Sequence, residues 1–301
     1  MQIVGVAYGD EVRVADLSPD GERLTLVAGL REFWADAEGC LASPDGETLT
    51  ISQANLVPPV LPDAQMLCVG LNYLDHVAEG SFRGQELPEY PTLFARWTRS
   101  LTVGGAEIPV PATEDGLDWE GEIVAWVGRT LVDADPDEAL DAVIGYSTFN
   151  DVTARRAQKL TSQWILGKNA DRSGPLGPMV PASEVGDLRD GLRLRTRVNG
   201  RTVQDASTSQ MIHRVGETLS HISRTLTLRP GDLLATGTPS GVGYARTPAW
   251  LLEPGDVVEV EVERLGTLRN TIVGPEHRRN PTSGAVADEG AGVPAVSSRR
   301  G

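Results

Sequence analysis

From Met66 onward the chain sustains almost no long helical apolar period. Short β-like runs (MLCVGL, EIVAWVG, VIGYSTF, LRLRTRVNG, LLATG and VVEVEVERLG) alternate instead with Gly and Pro turns, and only ARRAQKL and SQMIHRVGETLSHISR stand out as helical. A regular βαβ series needs a helical crossover between successive strands, so this pattern predicts a β-rich α+β domain over 66–273. Upstream, IVGVAY and EVRVADL alternate about a Gly9-Asp10 turn, followed by helix-like LREFWADAEG and by TLTISQ, which predicts a small α/β module over 1–58. Pro58, Pro59 and Pro62 cannot donate backbone hydrogen bonds, so 59–65 reads as an extended linker. After Val273 almost no large apolar residue remains to offset ordering entropy, and 274–301 is expected to be a disordered tail.

Charge narrows the function classes. Of the 301 residues, 27 Lys and Arg stand against 42 Asp and Glu, a net charge of −15 that repels nucleic acid and anionic membranes. No apolar run approaches the ~18 residues of a membrane span. The N-terminus lacks a basic region and meets Asp10 and Glu11 early, unlike a secretory signal, so a cytoplasmic location is expected. Two cysteines, Cys40 and Cys68, provide neither a disulfide framework nor a thiolate metal cluster. Among the 27 basic residues only Lys159 and Lys168 are lysines, so each stands out against an Arg default.

Candidate chemistry concentrates in four places. In the strand-like Asp118–Val127 stretch, Glu120 and Glu122 are two apart and share a face, so their carboxylates suit one hard cation; a solvated polar face fits the same spacing. Asp151 follows the 142–149 strand and also reads as a helix N-cap, with Arg155 and Gln158 on one helical face beyond it, either a substrate-binding surface or an ordinary surface ion pair. His76 and Glu79, three apart, fit a base dyad or a solvated pair. The Gly-rich 236–243 loop lacks P-loop and dinucleotide spacing; its backbone N–H groups and the Thr238 hydroxyl suit a carboxylate, and a tight turn suits the glycines equally.

Taken in order, VGLNYLDHVAE, LDWEGEIVAWVG, GYSTFNDVTARRAQ, the GK of WILGKNAD with GPLGP after it, VNGRTVQDASTSQMI and LRPGDLLATGTPSGVG resemble the fumarylacetoacetate hydrolase family over Met66 to Val273. The resemblance implies a mixed β-sandwich roll and a homodimer. It implies that Glu120, Glu122 and Asp151 hold Mg²⁺ or Mn²⁺, that His76 with Glu79 is the general base on a lid over 74–87, and that Lys168 is the cation near the reacting carbonyl. Arg155, Gln158 and Thr238 are implied as substrate binders. Three departures stand out: Arg96 where members usually carry Lys, Arg156 where an acid commonly follows the Arg, and NADRSG after the lysine. The activity expected is metal-dependent hydrolysis of a C–C bond in a 1,3-dicarbonyl 2-oxo acid such as an acylpyruvate or fumarylpyruvate. The alternatives are decarboxylation or isomerisation of an unsaturated oxo-diacid from aromatic catabolism, and dienoate hydration.

Overall fold

The Gly9-Asp10 turn closes a hairpin between strands Ile3–Tyr8 and Glu11–Leu17, with Tyr8 opposite Glu11. In the computed structural model, which describes residues 1–42, 46–79 and 89–278, strands Arg23–Gly29, Thr48–Thr50 and Asn55–Val57 complete a five-stranded antiparallel sheet. LREFWADAEG breaks at Asp36 into helices Leu30–Ala35 and Ala37–Ala42, and TLTISQ is strand only to Thr50 before a 3-10 turn at Ile51–Gln53. The module shares a core with the rest of the chain. Trp34 stacks on Trp126 with ring centroids 5.4 Å apart, and Ile3 bridges to Met179. An aromatic pair of this kind adds about 0.5–1.5 kcal/mol beyond its area burial. The proline segment participates, since the Pro59 carbonyl accepts a hydrogen bond from Trp34 Nε1 at 2.8 Å.

Two further sheets carry the remainder, and both mix parallel with antiparallel pairs, giving the β-rich α+β fold expected. The larger runs Leu93–Arg96, Met66–Val69, Leu233–Ala235, Gly121–Val127, Val143–Asn150, Gly174–Leu176 and Leu101–Val103, with Val180–Pro181 also paired to Val143–Asn150. The other runs Arg201–Ser207, Arg193–Val198, Val257–Val262, Gly266–Val273 and Glu107–Pro109.

Gly121–Val127 is buried along its whole length. Ile123, Ala125 and Val127 pack with Leu194, Val260 and Val262 from the third sheet, while Val124 and Trp126 pack in the cluster containing Trp34. Side-chain alternation therefore puts Glu122 on the Val124–Trp126 side, at the end of the strand farthest from Trp126.

Helix is scarcer than the periodicity predicts. ARRAQKL is helical only at Arg155–Gln158, and within SQMIHRVGETLSHISR the α-helix spans Val215–Ser223. The tail expectation needs correcting at its start: Pro275–Arg278 forms a 3-10 turn, held by Arg278 Nε to Asp171 Oδ2 at 2.5 Å and His277 Nδ1 to Glu107 Oε2 at 3.1 Å. Polar side-chain contacts order these residues where apolar burial does not; the remainder of the tail, and 80–87 of the expected lid, lie outside the described residues. Among the described residues no helix is long and apolar enough to cross a membrane.

Candidate metal centre and catalytic pocket

Glu120, Glu122 and Asp151 converge where the Gly121–Val127 strand begins and the antiparallel Val143–Asn150 strand ends, Gly121 lying opposite Asn150. Each offers a carboxylate oxygen within 4.8 Å of the others, and all three side chains are buried. Asp151 does not cap a helix: Ala154 is the N-cap of Arg155–Gln158, and the Asp151 amide donates instead to the Glu120 carbonyl at 2.9 Å. Buried carboxylates at this separation need positive partners. Lys168 Nζ supplies one, 2.6 Å from both Glu120 Oε2 and Asp151 Oδ2. Arg96 Nε meets Asp151 Oδ1 at 2.5 Å, and Arg155 Nη2 lies 2.6 Å from Glu120 Oε1 without aiming an N–H at it. Burial alone would raise the Glu120 carboxyl; the Lys168 and Arg155 charges outweigh it and hold the group at about 2. For Lys168, burial opposes the ammonium and the Asp151 and Glu120 charges win, pushing it above its ordinary value.

Glu122 has a different environment. Its Oε2 accepts from the Gly237 amide at 2.9 Å, and among the described residues no basic side chain comes within ion-pair distance of it. Burial, then the charges of Asp151 and Glu120, push its carboxyl well above the usual range. The Tyr73 hydroxyl, buried and without a hydrogen-bond partner in the protein, is raised by burial and then by the Glu122 charge. A carboxylate lacking a cation inside an all-oxygen donor set fits a hard divalent ion and not a soft one. We expect calorimetry on chelator-stripped protein to show Mg²⁺ or Mn²⁺ binding that weakens in Glu122→Gln by at least about tenfold, the loss typical of disturbing even an outer-shell partner. Equal affinity in both proteins would remove Glu122 from the site.

The second constellation closes over the first. His76, only 6% exposed, sits on the Leu74–Glu79 helix with Nδ1 2.9 Å from Glu79 Oε1. Glu79 in turn accepts from the Gly241 amide at 2.8 and 2.9 Å. The 236–243 loop is thus a carboxylate cradle, as its glycines suggest, but for the protein's own acids: Gly237 holds Glu122, Gly241 holds Glu79, and Gly243 donates to Asp118 Oδ1 at 2.6 Å. No side chain fits at two of these positions, since a Cβ would lie 2.1 Å from the Val203 carbonyl oxygen at Gly241 and 1.9 Å from that of Trp250 at Gly243.

A cavity of about 240 Å³ opens between the two constellations, walled by Gly70, His76, Glu120, Arg155, Gln158, Lys159, Trp164, Lys168 and Tyr244. Arg155 and Gln158 line it as the sequence predicts, joined by a 2.9 Å hydrogen bond from Nη1 to Oε1. Thr238 is not on this wall. Its buried hydroxyl donates to the Gly121 carbonyl at 2.9 Å and accepts from Gln204 Nε2 at 2.8 Å, bracing the strand that carries Glu122. Asp118 and Arg96 are positioning residues that sequence reasoning did not place in the site. Asp118 Oδ2 accepts from Arg155 Nε at 2.8 Å and from the Tyr244 amide at 3.1 Å, tying the helix to the loop. The spacing Asp118-x-Glu120-x-Glu122 put Asp118 on the glutamates' face but gave no sign of its partner Arg155.

The chain belongs to the fumarylacetoacetate hydrolase family: residues 65–273 match the Fumarylacetoacetate (FAA) hydrolase C-terminal family. It is 32% identical over 278 residues to the mitochondrial oxaloacetate tautomerase fahd2 of Xenopus laevis, covering 90% of this chain and 86% of that protein. Among solved structures, it matches 5-carboxymethyl-2-hydroxymuconate delta-isomerase from Mycobacterium smegmatis with a TM-score of 0.74 at 30% identity, over 91% of this chain and 100% of the other. It also matches fumarylpyruvate hydrolase from Pseudomonas aeruginosa, solved in complex with Mn²⁺ and pyruvate, with a TM-score of 0.64 at 32% identity, over 72% of this chain and 91% of the other.

Proposed function

We propose that this enzyme moves a proton at the carbon beside the oxo group of a small 2-oxo acid, as a divalent-metal-dependent tautomerase or isomerase. The observation that carries the reading is His76, paired with Glu79, on the wall of a small cavity that Glu120 and Lys168 also line, with Glu122 and Asp151 offering carboxylate oxygens within 4.8 Å of Glu120. Glu120, Glu122 and Asp151 would hold a divalent cation, which when bound would supply Lewis acidity at the 2-oxo group. Because a carboxylate only accepts, Glu79 fixes the Nδ1–H tautomer of His76 and leaves Nε2 as the base. His76 Nε2 takes the proton from the carbon beside the oxo group, Glu79 balances the imidazolium, and the same nitrogen returns the proton to oxygen. Lys168 adds positive charge where the oxygen becomes negative, and Arg155 with Gln158 orients the acid.

The tautomerase and isomerase among the similar proteins support this chemistry over most of the chain. Hydrolytic C–C cleavage, the expectation from sequence, is the second reading, supported by the likeness to a fumarylpyruvate hydrolase and by the fact that an oriented base also activates water. The test follows enol–keto interconversion of oxaloacetate by ultraviolet absorbance, and pyruvate release from acetylpyruvate, each with Mg²⁺ or Mn²⁺. Accelerated interconversion is expected. Pyruvate release without it would move the assignment to the hydrolase, and activity in neither assay would overturn both.

A further inference from the structure

Both lysines of a chain that otherwise uses arginine line the same cavity. Lys168 is spent: it is 2% exposed and lies 2.6 Å from Glu120 and Asp151. Arg155 is spent as well, on Asp118, Glu120 and Gln158. Lys159 differs from both. It follows the Arg155–Gln158 helix as its C-cap, its side chain is exposed at the cavity, and among the described residues no carboxylate pairs with it. Its ammonium rests 4.6 Å from the centroid of the Tyr244 ring, which also carries the Arg155 guanidinium at 4.2 Å. Tyr244 is itself fixed by the bond from its amide to Asp118. The ring therefore holds a full positive charge beside the cavity, one helical turn beyond Arg155, in a protein of net charge −15.

A cation whose charge the protein leaves uncompensated at a ligand cavity is available to a ligand anion. An ammonium on a flexible four-carbon stem suits a single carboxylate whose position varies between ground and transition state, whereas the fork of an arginine demands one bidentate geometry. Resting on the reading of this cavity as a 2-oxo acid site, we propose that Lys159 is its specificity residue, receiving the second carboxylate of a 2-oxo dicarboxylic acid. The end carrying the oxo group would face the triad and Lys168, and the distal carboxylate would meet Lys159 across Tyr244.

Oxaloacetate and pyruvate differ by that distal carboxylate, so the proposal is tested by calorimetric titration of the Mg²⁺-loaded protein with each, which reads binding whether or not turnover follows. Wild type is expected to prefer oxaloacetate. Lys159→Met, which keeps the length of the side chain at an exposed position, is expected to weaken oxaloacetate binding about tenfold to a hundredfold, the worth of a charge-assisted hydrogen bond, and pyruvate binding less than about twofold. Lys159→Arg keeps the charge and is expected to retain most of the preference. An unchanged oxaloacetate affinity in Lys159→Met, an equal loss for both acids, or no preference in wild type would each overturn the assignment. Loss of proton-transfer activity with the binding preference intact would instead count against the proposed reaction alone.

Discussion

His76→Ala should lower kcat for oxaloacetate interconversion by about 10² to 10⁴, the usual cost of losing a positioned general base, while Mg²⁺ affinity stays within about twofold of wild type. The two readouts separate because His76 is linked to Glu79, which the Gly241 amide holds, whereas Lys168, Arg96 and Arg155 hold Glu120 and Asp151 and the Gly237 amide holds Glu122. Glu79→Gln tests the orientation step. An amide offers the imidazole a donor as well as an acceptor, so part of the population would carry its proton on Nε2, and kcat should fall with little change in KM. If acetylpyruvate cleavage proves to be the reaction, the same substitution should abolish it, since attack by water also needs the base. Turnover of either acid at the wild-type rate in His76→Ala would remove the base assignment whichever reaction is correct.

What could be read from the sequence is what local periodicity encodes. Two-residue spacing put Glu120 and Glu122 on one face, and three-residue spacing put His76 against Glu79; both relations hold in the structure. The short β-like runs from Met66 onward likewise became strands in two mixed sheets, because their Val, Ile and Leu residues have cores to fill on alternating faces. Residues whose role depends on distant chain were harder to place. Arg96 reaches Asp151 across 55 positions and Asp118 reaches Arg155 across 37, relations that no spacing rule contains. Thr238 shows long-range packing from the other side. Its place in a Gly-rich loop suggested a ligand hydroxyl, yet packing turned that hydroxyl to the Gly121 carbonyl and left the loop amides to hold Glu79, Glu122 and Asp118. The helix expected over ARRAQKL is only the four residues Arg155–Gln158, its free first-turn amides at Arg156 and Ala157 satisfied by Glu114 from distant chain.

The departure at Arg96 carries the second large effect. This guanidinium is buried and fully engaged: besides Asp151 it donates to Ser100 Oγ at 3.0 Å, to the Val152 carbonyl at 2.9 Å and to the Ser173 carbonyl at 3.0 Å. Arg96→Met preserves the stem but strands a buried carboxylate with Lys168 as its remaining cation and leaves two buried carbonyls short of a donor. Removing one member of such a pair typically costs 3–5 kcal/mol, and the surviving Lys168 contact places the expected loss near the lower end, about 3 kcal/mol by denaturant titration. Arg96→Lys, the residue usual in the family, restores the charge with three donors in place of five. It should recover the Asp151 contact but not every carbonyl, leaving a deficit of about 1–2 kcal/mol. The two variants therefore separate charge from geometry. If Arg96→Met and Arg96→Lys are equally destabilised, the fork geometry and not the charge is what Asp151 requires; if Arg96→Met is as stable as wild type, Lys168 alone suffices to hold the carboxylate, and Arg96 has no positioning role in the site.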